Sequence, residues 1–73
     1  MTAYQFWYIP LPGDKTQYIW IIANTPEEAL DIFRWNGYHD FYDYSDGPND
    51  ILPESEWIDH HESGQIYGGD AVL

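Results

Sequence analysis

Asp40, Asp43, Asp46, Asp50, Glu54, Glu56, Asp59 and Glu62 put a carboxylate every two to four residues along one stretch, and no Lys or Arg interrupts them. Groups of this type can ligate a cation, exchange protons with a substrate, or pair with the basic groups of another molecule. Metal ligation is suggested by Asp59-His60-His61-Glu62, with His39 and Asp40 as further donors. Adjacent histidines on a strand point to opposite faces, however, and no HExxH spacing is present, so a polar strand end is the simpler reading. Calcium ligation fails on register. An EF-hand loop needs oxygen ligands at positions 1, 3 and 5 with Gly at 6, and placing Gly47 there puts Tyr42 and Tyr44 at positions 1 and 3.

Proton-transfer or nucleophilic catalysis needs reactive groups held in a pocket that tunes their proton affinities. Three serines and three histidines meet the residue requirement in almost any protein, and a chain this short has little room for a cavity. The expectation is a protein that is not an enzyme, with no catalytic residue, no metal and no cofactor. Its one rival of that class is a metal-dependent enzyme using His39, His60 and His61.

Ion pairing remains, and the charge distribution favours it. Thirteen acids face two bases, Lys15 and Arg34, for a formal net charge of -11. Residues 1–36 hold four acids and both bases, a net of -2, whereas residues 37–73 hold nine acids and no base, a net of -9. Such a field repels nucleic acid and anionic membrane and speeds encounter with basic surfaces. A solvated face ordinarily mixes both signs, because like charges held close together cost folding energy. Residues three apart on an extended chain lie about 10 Å apart, of the order of phosphate separations on nucleic acid.

The elements that must carry these acids are small. Seventy-three residues make one domain that buries only about 60% of the surface its unfolded chain exposes. No cysteine is present to add a disulfide or a thiolate metal site. Four Trp, seven Tyr and three Phe supply the packing area instead and argue against disorder. Neither a signal peptide nor a membrane span is evident, the apolar run Tyr18 to Ala23 being far short of about 20 residues, so a cytoplasmic location is expected.

Residues 3–9 and 16–23 read as strands joined by Pro10-Leu-Pro-Gly-Asp-Lys15, an antiparallel hairpin. Alternation sends Ile19, Ile21 and Ala23 to one face and Tyr18, Trp20 and Ile22 to the other. A helix is predicted over residues 26–36. Thr25 is its N-cap, Pro26 takes the first turn, Glu28 completes a capping box and Gly37 ends it, with Ala29, Leu30, Ile32, Phe33 and Asn36 on one side. Tyr38 to Tyr44 is expected as a third strand, Ser45 to Asp50 as a loop, Glu56 to His61 and Gln65 to Tyr67 as short strands, and residues 68–73 as a loose tail. The expected fold is α+β: a single domain with a small antiparallel sheet, ββα followed by one to three short strands, packed on one helix.

Aromatic residues are interleaved with the acids. Tyr38, Phe41 and Trp57 are the core candidates, whereas Trp35 and Tyr44 are candidate anchors for a partner. The segment Tyr18-Ile-Trp-Ile-Ile-Ala-Asn-Thr-Pro-Glu-Glu-Ala-Leu resembles the strand-to-helix unit of small phage and plasmid proteins of the ββα type. In size, acidity, aromatic content and lack of cysteine the chain is similar to phage-encoded anti-CRISPR and anti-restriction proteins. That likeness implies a nucleic-acid mimic that occupies the basic channel of a host defence complex, in particular a CRISPR effector. The charge, rather than the likeness, argues against direct nucleic acid and membrane as partners, and a homodimer can still be a decoy. The rival is a self-associating structural or assembly protein using an exposed face of Tyr18, Trp20 and Ile22.

Overall fold

An aromatic-rich run, Ala-Tyr-Gln-Phe-Trp-Tyr-Ile, makes β1, Thr2–Ile9, and in the computed structural model it lies inside the sheet, between β2 and the pair of short strands on its other edge. The structure describes residues 1–57, 61–69 and 72. Strand β2, Gln17–Ala23, folds back on β1 with Trp7 opposite Tyr18, Gln5 opposite Trp20 and Ala3 opposite Ile22. Helix α1, Pro26–Trp35, starts where Thr25 Oγ1 accepts from the Glu28 N–H at 3.1 Å. It ends at the Asn36 cap, and Gly37 follows at φ 83°, a conformation that glycine adopts without steric penalty.

The chain then makes a 3-10 turn at Tyr38–Asp40 and returns to the outer edge of β1. Strand β3, Asp43–Tyr44, pairs with Tyr8 and Ile9; β4, Asp50–Pro53, pairs with Thr2 through Gln5. Between them the Ser45 N–H donates to the Trp7 carbonyl at 3.0 Å and the Asn49 N–H to the Gln5 carbonyl at 2.8 Å. A second 3-10 turn, Glu54–Glu56, leads away, and β5, Ile66–Gly68, joins the far edge of β2. The fold is α+β, one helix on a five-stranded antiparallel sheet, with three short strands after the helix.

Tyr38–Tyr44 is therefore only partly strand. Tyr38 turns inward to stack on Phe33 at 5.1 Å, which favours a tight turn over a continuing strand. Asp50–Pro53 was expected to begin as loop and is a strand, because its N–H and C=O groups have β1 as a partner. Residues 54–56 are a 3-10 turn, and Ile58, Asp59 and His60 of the expected Glu56–His61 strand lie outside the described residues.

Two cores lie on opposite faces. Tyr4, Phe6, Ile19, Ile21 and Ala23 pack on Ala29 and Phe33 of the helix, with the Phe6 and Phe33 rings stacked at 4.6 Å. On the other face Ala3, Trp20 and Ile22 pack with Val72, and Leu52, Trp57 and Tyr67 close around them. Val72 is fully buried, so the segment expected to be a loose tail contributes a core residue. Burial of Trp20 and Ile22 also removes the exposed face expected for self-association, leaving only Tyr18, 47% exposed. No helix among the described residues is long and apolar enough to cross a membrane.

Candidate functional site

The acidic stretch becomes an edge because β3 and β4 both add to the same side of β1. Asp43 lies opposite Ile9 and Asp50 opposite Gln5, four β1 residues apart, which is about 13 Å along a strand. Alternation turns both toward the face away from the helix, since Tyr44 packs on the helix side and Leu52 on the other. Each carboxylate uses one oxygen locally: Asp43 Oδ1 accepts from the Tyr44 N–H at 2.9 Å and Asp50 Oδ1 from the Ile51 N–H at 2.8 Å. The second oxygen of each is left for another partner.

Asp46 is exposed in the turn between the two strands. Asp40 ends the first 3-10 turn, 80% exposed, with His39 Nε2 3.5 Å away. Glu54 and Glu56 extend the line beyond β4, Glu54 lying 3.5 Å from the Met1 amino group. Glu62 belongs elsewhere, two residues before the Gly64 N–H that bonds the Ile22 carbonyl on the β5 side of the sheet. Asp59 lies outside the described residues. Lys15 and Arg34 form no ion pair among the described residues; the Met1 amino group offsets Glu54, while Asp43, Asp46 and Asp50 have no counter-ion among the described residues.

Charges, short strands and a proline all discourage an open edge from pairing with a foreign strand, and Pro53 serves that purpose beside the acids. Edge protection needs charge of either sign, so it does not account for the absence of Lys and Arg from residues 37–73.

The two candidate anchors differ in availability. Trp35, on the last turn of α1, is 88% exposed. Tyr44 is half-buried, its ring 6.4 Å from Phe33, so most of its area is committed to the core. Of the core candidates, Tyr38 is half-buried on the helix side, Trp57 helps close the second face, and Phe41 stacks on Tyr8 at 5.0 Å while remaining partly exposed. Burial raises the Tyr38 phenol above its ordinary proton affinity, and neighbouring Tyr8 adds to the shift.

Among the described residues no group of three or more His, Cys, Asp or Glu is placed to hold a metal ion. His39 is exposed, its Nδ1 3.0 Å from the Arg34 carbonyl, whereas His61 is buried between Trp57 and Tyr67. His60 lies outside the described residues. Two features of the acidic edge escaped the sequence reading. Ser45 is buried and holds β1 by two bonds, its Oγ accepting from the Trp7 N–H at 3.3 Å. Trp7 and Tyr18 pair across β1 and β2 beside the acids, a signal that was available in the alternation of the two strands.

Fold and edge together define a small α+β protein with a long one-sign charged margin. No family model, curated protein or solved structure matches the chain.

Proposed function

We propose that this protein is a stoichiometric inhibitor that occupies the basic, nucleic-acid-binding surface of another protein and so blocks DNA binding. The partner class is a host defence complex such as a CRISPR effector, as the likeness to phage-encoded inhibitors implies. The observation that supports the reading is that Asp43 and Asp50 sit on two short strands lining one edge of β1, with Asp46 exposed between them, Glu54 and Glu56 exposed in the turn that follows, and no Lys or Arg among them. Carboxylates presented by ordered backbone lose little entropy when they pair with Lys and Arg, and charge-assisted bonds of this type set both orientation and on-rate. Exposed Trp35 provides aromatic area at a second position.

The test is a pull-down from nuclease-treated host lysate with the parent protein and the triple variant D43K/D46K/D50K side by side. The parent should recover one basic nucleic-acid-binding complex, released by salt and competed by DNA. The triple variant should associate with that complex at least about tenfold more slowly at low salt and with a flatter salt dependence. Undiminished affinity of the triple variant at low salt would refute the reading.

A further inference from the structure

Among the described residues the cover of the second face is concentrated at one end. Ala3, Trp20, Ile22 and Leu52 lie beneath Trp57 and Val72, whereas at the other end of the face Trp7 and Ile9 are half-buried and Tyr18 is 47% exposed. This other end is bordered by the acidic edge. Trp7 sits midway between Gln5, which faces Asp50, and Ile9, which faces Asp43. Each carboxylate is two residues along and one strand over from Trp7, about 6.6 Å by about 4.8 Å. The backbone there is held firmly: Ser45 bonds Trp7 twice, and Asn49 Nδ2 donates to Gln5 Oε1 at 2.7 Å.

We propose that this surface, Trp7 and Tyr18 with Asp50 and Asp43 on either side, is the seat for an arginine side chain of the basic partner. The inference rests on the function proposed above and names the group that the edge receives. Two carboxylates about 13 Å apart cannot ligate one metal ion, whose oxygen ligands must all lie within about 2.6 Å of it. An aromatic pair between two anions instead suits a cation that is both flat and a multiple donor. A guanidinium stacks on an aromatic ring while its N–H groups, directed outward in the guanidinium's own plane, reach a carboxylate beside it, which a lysine ammonium cannot do at once. Neither Lys15 nor Arg34 is ion-paired to Asp43 or Asp50 among the described residues, so the chain does not fill the seat itself.

The test is a titration of isotope-labelled protein at low salt with nona-arginine and, separately, nona-lysine, following amide and indole resonances. The arginine peptide should bind about fivefold more tightly than the lysine peptide, the increment expected of a stacked guanidinium. The Trp7 indole should move most among the four tryptophans. Tyr18→Ala, at an exposed position, and the isosteric Asp43→Asn should each shrink the arginine preference toward equality while leaving the core resonances in place. Equal binding of the two peptides, or a response centred on Trp35, would overturn the arginine seat while leaving the basic-partner reading standing. Binding of neither peptide would remove both.

Discussion

The two faces of the sheet are closed by different means. The buried residues of the helix face come from β1, β2 and α1, elements contiguous in sequence, and among the described residues no buried side-chain polar atom there lacks a partner. The second face draws Ala3, Trp20, Leu52, Trp57, Tyr67 and Val72 from separate parts of the chain. It also buries two polar atoms without a hydrogen-bond partner, Trp20 Nε1 and His61 Nε2. A buried orphan donor or acceptor costs about 1–3 kcal/mol, and long loop closures add entropy that local contacts avoid. The helix face should therefore hold the fold, and the second face should open first.

Substitutions on the two faces separate them, the largest effect coming from the helix side. Phe33→Ala removes the ring that stacks on Phe6 and Tyr38, and it should cost about 3–5 kcal/mol. That is most of the margin of a domain this size, so thermal unfolding by near-ultraviolet dichroism should find the variant largely unfolded. Trp57→Ala should cost less, about 2 kcal/mol, because the ring is only half-buried although its Nε1 donates to the Leu52 carbonyl at 3.0 Å. Its signature should be local: faster hydrogen exchange at the β5 amides, with those shared by β1 and β2 unchanged. A loss equal to that of Phe33→Ala would mean that the two faces form one cooperative unit.

The smallest effect is a pH dependence on the helix side. Burial, with a contribution from Tyr8, raises the Tyr38 phenol above its unfolded value. The native state thus holds that proton more tightly than the unfolded state. Its contribution is fully present below about pH 10 and is lost as pH rises through the raised folded value. Tyr38→Phe keeps the stacking and should flatten that alkaline decline in a pH series of denaturant midpoints. An unchanged slope would assign the decline to other tyrosines.

The contrast between faces also marks what could be read in advance. Hairpin and helix are governed by contacts a few residues apart: the alternation of β2, the Thr25 cap, Pro26 and Gly37. The second face was visible only as an apolar stripe, Tyr18, Trp20 and Ile22, with nothing local to say what would cover it. Asp50–Pro53 gave a weak strand signal because it is short, half acidic or proline, and depends on β1 for its hydrogen bonds. The acids were legible as a charge run, but not which of them would share an edge. Glu62 looks in sequence like its neighbours and lies near the opposite side of the sheet.

By itself, then, the sequence determined the helix and its ends, the hairpin and its two faces, and a one-sign charge on the C-terminal half. Caps, side-chain alternation and composition act over a few residues or need no geometry at all. Tertiary structure alone decided that β3 and β4 would line one edge of β1 in tandem and that Trp57 and Val72 would pack on Trp20 and Ile22 of the second face. It likewise set half-buried Trp7 and exposed Tyr18 beside Asp43 and Asp50. A strand's pattern says which of its side chains point together, while its neighbour is chosen by backbone hydrogen bonds and apolar area that only the folded chain brings within reach.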